Sequence, residues 1–459
     1  MIRLVLAAMF LVLPAGAHAE RVPSSAAEMQ LSFVPLVKQA TPAVVNIYAK
    51  VLRQPRSTPL QRDPFFERFF RRPGTERPQV QNSLGSGVIL SPDGIVVSNY
   101  HVVGMATEIN VVLADRREFS ARVLLGDAEN DLAILQLDGA ADLPHLSLRA
   151  SDTVEVGELA LAIGNPFGVG QTVSSGIISG LARSGAAEGA GRGYFVQTDA
   201  PINPGNSGGA LIDMTGHLIG INTSILTRSG GSNGIGFAIP ADLVGAFVAQ
   251  ARAGKTEFGS PWAGMAGQPV DNDIAEAFGL DRPGGIIVSG LHPESPLAKA
   301  KVDIGDVIVA VNGQPVNTPS EMVYRMSVTG LGNSARVTVM RGGAPREVDV
   351  LLMEAPDNPP RDTLTLGRAE LLEGTVLMRV NPAVMSEFNL PLDTEGVLVA
   401  EAGRLGARVG LRPGDIIEAV NDRAVEHPQD VAQAFADQLR GYVLTVQRGA
   451  QRVSLRFGR

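Results

Sequence analysis

The chain contains no cysteine, which excludes disulfides, Cys-ligated zinc and a thiolate nucleophile together. It has no basic excess either. With 39 Lys and Arg against 47 Asp and Glu, the net charge is −8, and no field exists to gather nucleic acid, which is excluded as a partner. Long apolar runs are also missing. The longest candidate, Leu4 to Leu13 near the N-terminus, is about ten residues, whereas a bilayer needs roughly 20. Metal-binding spacing such as HExxH does not occur, so neither a metal nor any other cofactor is expected.

What is present is glycine and proline, 52 and 30 in 459 residues, the composition of many turns and short strands rather than long helices. That length calls for about three domains. Arg3, the short apolar run, the Pro14-Ala15-Gly16 breaker and Ala17-His18-Ala19 read as a cleaved export signal over residues 1–19. A membrane anchor is the alternative, and the run is too short for it. The expected mature chain starts at Glu20, outside the cytoplasm.

Residues 31–50 read as a short helix and a strand. Residues 51–82 are Pro- and Arg-rich but carry Phe65, Phe66, Phe69 and Phe70. Four such side chains on a polar loop either pack on their own domain or enter another subunit, and the second is the expectation. Ser86 to Ser98 is a strand, an Asp-Gly turn and a return strand. A second strand series runs from Val154 to Ile239, interrupted by Gly-rich surface loops at 184–193 and 229–236. Near 250–261 and 355–363 the composition turns polar, as in linkers. Between and after these lies a repeat: Gly305 to Val316 recurs 109 residues on, at Gly414 to Val425. Gly264 matches Gly374, and Phe278 matches Phe388. A period this long is domain duplication rather than a solenoid.

The strongest chemical signal is Gly205-Asn206-Ser207-Gly208-Gly209. A serine hydroxyl needs a base, and its attack on a carbonyl needs donors for the oxyanion that forms. The glycines let the chain turn tightly, so that the N–H groups of Gly205, Asn206 and Ser207 can converge. A Gly/Ser string alone is more often a plain turn, and its partners decide. His101, in Ser98-Asn99-Tyr100-His101, falls where a strand gives way to a helical turn and is the expected base. Asp131 heads the apolar strand Leu132 to Leu135, an expensive place for a carboxylate unless it is paired; orienting His101 supplies the pairing. The order His, Asp, Ser is that of chymotrypsin and differs from subtilisin and the α/β-hydrolases. The fold expected is therefore mainly β: a trypsin-like double β-barrel over 20–254, followed by two α+β modules at 259–355 and 362–459. His145, His217, His292 and His427 lie in polar turns and read as surface groups. Gly231 to Gly236 follows no nucleotide-binding unit and has no P-loop lysine, so it reads as a specificity loop in an ATP-independent protein.

Ser98-Asn-Tyr-His101, Asp131-Leu-Ala-Ile-Leu, Gly164-Asn-Pro-Phe-Gly168 and Gly205-Asn-Ser-Gly-Gly209, followed by two repeats, resemble the HtrA/Deg family with its two PDZ domains. The resemblance covers essentially the whole mature chain. It implies a periplasmic serine endoprotease that cuts unfolded or misfolded envelope proteins after small or medium apolar residues, with Ile202 and Ile221 as S1 walls. It implies PDZ loops at Ala263, Gly264 and Met265, and at Glu373, Gly374 and Thr375, that hold substrate C-terminal peptides as added strands. The second module departs from the usual pattern at Glu401 to Gly406, and the expectation is that it serves assembly more than capture. The resemblance further implies a homotrimer or multiples of trimers, peripheral membrane contact, and a role for Phe65 to Phe70 in a neighbouring active site. The competing reading, a holdase built on a dead barrel, gives no reason for a complete triad.

Overall fold

A computed structural model describes residues 32–52, 80–165, 171–181, 194–203, 205–225, 234–278, 282–368, 371–436 and 441–458. The export signal, the four-Phe cluster and most of the two Gly-rich loops lie outside the described residues. Among the described residues no helix is long and apolar enough to cross a membrane.

Helix α1 (Val34–Ala40) carries Pro in its first turn, where the missing N–H costs nothing. The chain then forms β1 (Val44–Leu52), β2 (Val80–Ile89) and β3 (Ile95–Ser98). A single helical turn, α2 (Tyr100–Val103), leads to β4 (Glu108–Val112), β5 (Glu118–Asp127) and β6 (Leu132–Leu137). These six strands close into a barrel in the order β1-β2-β3-β6-β5-β4. β3 is buried at every position and β6 at all but Gln136, which is why their sequences are almost continuously apolar instead of alternating.

A second closed barrel is built from β7 (Leu159–Gly164), β8 (Thr172–Gly180), β9 (Val196–Thr198), β10 (Ala210–Ile212), β11 (Leu218–Ile225) and β12 (Gly236–Pro240). Helix α3 (Ala241–Arg252) follows Pro240 directly and buries Leu243, Val244 and Phe247. The segment after it is not a loose linker. Phe258 stacks on Phe247 at 3.9 Å, and Gln250 exchanges two hydrogen bonds with the backbone of Gly259.

The first repeat comprises β13 (Met265–Pro269), α4 (Asn272–Ala277), β14 (Ile286–Leu291), α5 (Pro296–Lys299), β15 (Val307–Val311), β16 (Gln314–Pro315), α6 (Pro319–Thr329), β17 (Ser334–Arg341) and β18 (Ala344–Leu351). The second comprises β19 (Leu364–Thr365), β20 (Val376–Arg379), α7 (Pro382–Phe388), β21 (Val397–Glu401), α8 (Gly403–Val409), β22 (Ile416–Val420), β23 (Arg423–Ala424), α9 (Pro428–Ala436), β24 (Gly441–Arg448) and β25 (Gln451–Gly458). Apart from β19 the element orders coincide. Each module also buries one aspartate under one arginine: Asp306 with Arg341, and Asp415 with Arg448, both at 2.7 Å through two nitrogens. Such paired, planar contacts satisfy a carboxylate that would otherwise be costly to bury. The second linker is pinned as well, through Arg361 to Glu387 at 2.7 Å and Asn381 to the Pro359 carbonyl at 2.6 Å.

Candidate active site

His101 and Asp131 come together at the end of the first barrel. Asp131 has a left-handed backbone, φ 53°, and its carbonyl accepts hydrogen bonds from Asn99 Nδ2 at 2.9 Å and Tyr100 N–H at 3.2 Å. Those bonds clamp the turn before β6 to the start of α2. Both Asp131 oxygens lie 2.9 Å from His101 Nδ1, and Oδ1 also accepts the His101 backbone N–H at 3.0 Å. Thr223 on β11 donates its hydroxyl to Asp131 Oδ2 at 2.6 Å. Burial pushes the Asp131 carboxyl upward, but the charge and hydrogen bonds of His101 and the Thr223 hydroxyl outweigh it, and the pKa falls below the ordinary aspartate value. An ionised acceptor on Nδ1 fixes the imidazole tautomer and leaves Nε2 as the basic nitrogen.

Ser207 sits in the turn before β10, in the second barrel. Its hydroxyl donates to the Thr223 carbonyl at 3.1 Å, so one threonine touches both Asp131 and Ser207. Gly205 and Gly208 hold φ of 97° and 80°. A Cβ on Gly208 would stand 2.1 Å from the Ser86 carbonyl, which makes glycine obligatory there. Ser86, on β2, straps the turn across the barrels. Its N–H donates to the Ser207 carbonyl at 2.9 Å, and its hydroxyl donates to the Gly205 carbonyl at 2.6 Å. The same hydroxyl accepts the Asn165 N–H at 2.8 Å. Ser86 and Thr223 hold the candidate site together, and sequence reasoning missed both. The only signal for Ser86 was its place in Gly85-Ser86-Gly87.

The three expected oxyanion donors differ in their hydrogen bonding. The N–H groups of Gly205 and Ser207 make no hydrogen bond among the described residues, but that of Asn206 already donates to the Asn203 carbonyl at 2.9 Å, and its side chain is buried. Ile202 and Ile221 are not brought together. Ile202 packs beside Gly236 and Ile221 between β10 and β12, in separate buried clusters. In the first module Gly264 has φ 58° and its carbonyl accepts the His292 N–H at 2.8 Å, while Ser295 holds the Ala263 carbonyl at 2.6 Å. Met265 opens β13. In the second, Gly374 has φ 81°, Thr375 donates its hydroxyl to the Ala402 carbonyl at 3.0 Å, and Glu373 is exposed.

The sequence matches the trypsin-like peptidase domain over residues 85–221 and PDZ domains over 264–352 and 396–448. A probable periplasmic serine endoprotease of the DegP-like kind, from Pseudomonas fluorescens, is 36% identical over 439 residues, covering 90% of each chain. The chain belongs to the HtrA family of periplasmic serine endoproteases. Another HtrA relative, the periplasmic pH-dependent serine endoprotease DegQ of Escherichia coli, is 36% identical over 429 residues, 92% of this chain and 90% of that one. Among solved structures, the HtrA-type protease AlgW with a decapeptide is 39% identical with a TM-score of 0.52, covering 71% of this chain and 99% of that chain. This HtrA chain is thus a serine endoprotease of the periplasm, with the trypsin-like double barrel followed by two PDZ domains.

Proposed function

We propose that this HtrA enzyme cleaves unfolded or misfolded envelope proteins without ATP, with Ser207 as nucleophile, His101 as general base and acid, and Asp131 as the orienting carboxylate. The observation that carries the assignment is the pair of 2.9 Å contacts from His101 Nδ1 to Asp131, tied through Thr223 to Ser207. Ser207 Oγ attacks the scissile carbonyl as its proton passes to His101 Nε2. The oxyanion is received by the N–H groups of Gly205 and Ser207, which no acceptor among the described residues engages. His101 then gives the proton to the leaving amine, the C–N bond breaks, and water releases the acyl group from Ser207 by the same route in reverse. Ile202 alone remains as the proposed apolar wall for the side chain preceding the cut.

The same reading assigns residues 20–254 to catalysis, 259–355 and 362–459 to the two PDZ domains, and C-terminal peptides to the first groove, at Ala263, Gly264 and Met265. AlgW, solved with a decapeptide and with a tripeptide, supports peptide binding. Assembly is proposed as a homotrimer or multiples of it. The test is chemical. A fluorophosphonate should phosphonylate Ser207 Oγ with loss of fluoride, adding one mass increment on the peptide containing Ser207 that is lost in His101→Ala; labelling elsewhere, or at an unchanged rate in His101→Ala, would overturn the assignment.

A further inference from the structure

The two PDZ modules differ at one edge. In the first, β13 is the outermost strand of its sheet, whereas in the second, β20 lies between β21 and β19. β19 belongs to the segment that enters the module. It runs antiparallel to β20, with Leu364 opposite Leu377 and Thr365 opposite Val376. The pairing continues as Leu366 N–H donates to the Thr375 carbonyl at 2.9 Å and Gly374 N–H donates to the Leu366 carbonyl at 2.8 Å. The segment therefore runs toward the 372–375 loop and ends on it, and its last carbonyl takes an N–H that a peptide's terminal carboxylate would take.

The opposite wall is α9. Asp362 Oδ2 lies 3.4 Å from Nδ1 of His427, the residue before Pro428 of α9. Leu366, 1% exposed, shares a buried cluster with Leu377, Val431 and Phe435, and Leu364 packs against that cluster. Thr363 and Thr365, which alternate with them, face solvent. The segment is a strand seated between β20 and α9, with every second side chain turned inward. Upstream, the Arg361 carbonyl accepts the Arg379 N–H at 2.6 Å, so the seat is held at both ends.

From this we infer that residues 362–366 are an internal ligand of the second PDZ groove, which takes a peptide only by exchanging this strand. The inference rests on the reading of the PDZ grooves as peptide sites. The pattern apolar-x-apolar, ending at Leu366, also names the competitor's chemistry: a C-terminal peptide with apolar residues last and third from last. Because the tether is short, the internal strand acts at an effective concentration on the order of millimolar. A free peptide binds more weakly by the fraction of time the seat is empty. Capture therefore falls to the first module, whose β13 edge bears no strand among the described residues.

The experiment uses the full mature chain as Ser207→Ala, so that the probe is not cut, titrated calorimetrically with a decapeptide ending Leu-Thr-Leu-COO⁻. One site per chain is expected. In the added double variant Leu364→Ser/Leu366→Ser a second site should appear, of affinity at least about tenfold above any residual second binding in the parent. A second variant, Thr365→Cys/Val376→Cys, exploits the cysteine-free chain. It should form an intramolecular disulfide on mild oxidation and still titrate one site. Two sites in the parent, or cysteines that stay unjoined, would overturn the inference. No site in any variant would sink peptide capture, and the internal ligand with it, while joined cysteines would still locate the strand.

Discussion

Tyr194 of the second barrel and Tyr324 of α6 stack face to face, with ring centroids 4.0 Å apart and planes within 5°. Tyr324 is almost wholly buried in the cluster that fills the protease domain, and its neighbour Arg325 reaches Asp152 at 2.9 Å. Burial, opposed only in part by a hydrogen bond with Ser151, pushes the Tyr324 hydroxyl well above the ordinary tyrosine range. Helix α6 thus joins the catalytic domain through two neighbouring side chains, with Tyr324 as the buried anchor.

Replacing that anchor should separate the two units thermodynamically. Tyr324→Ala removes a buried aromatic, a change worth about 3 kcal/mol, and should lower the melting temperature and split calorimetric unfolding into resolved transitions. Tyr324→Phe, which loses only the hydroxyl bond, should cost about 1 kcal/mol. A single unshifted transition in Tyr324→Ala would show that the contact carries no coupling energy.

Thr223 offers a test of positioning. Its hydroxyl donates to an ionised carboxylate, and such bonds contribute about 1.5–3 kcal/mol. Thr223→Val should therefore lower kcat by roughly tenfold to a hundredfold, leave KM for a short peptide nearly unchanged, and be rescued by Thr223→Ser. An equal loss in Thr223→Ser would place the effect in packing instead.

The pH profile should have one acid limb. Asp131 is held below the ordinary aspartate value, so it stays ionised throughout the range in which an imidazole, near 6.5 when unperturbed, takes up a proton. Since His101 must be neutral to accept the Ser207 proton, kcat/KM should fall as pH drops through that range, with a slope of one. A rate flat down to pH 5 would contradict the role given to His101.

Trp262 is the single tryptophan, buried edge-to-face on His292 at 5.4 Å and against Gly264 of the first PDZ loop. Saturating a C-terminal peptide should shift its emission. An unchanged spectrum with binding confirmed by calorimetry would put the peptide elsewhere.

The large units were legible because their signals are strong. The triad lies in compact motifs, the barrels announce themselves through buried apolar strands such as Ile95 to Ser98, and the repeat keeps twelve aligned positions. What escaped depends on single hydrogen bonds or on contacts between distant segments. Ser86 and Thr223 act through bonds to a turn far away in sequence, which no local pattern encodes. The Asn206 N–H, a third candidate donor by its place in the motif, is bonded instead to the Asn203 carbonyl within the turn. The polar stretches read as linkers are pinned by Phe258, Arg361 and Asn381, and β19 is only two residues long, too short for any periodicity.

The most direct measurement is degradation of casein without ATP by the purified mature chain and by Ser207→Ala in parallel. Removing the nucleophile of such a triad lowers turnover by about 10⁶, so the account predicts fragments from the first protein and none from the second. Equal cleavage by both, or none by either in the presence of an activating peptide, would contradict it.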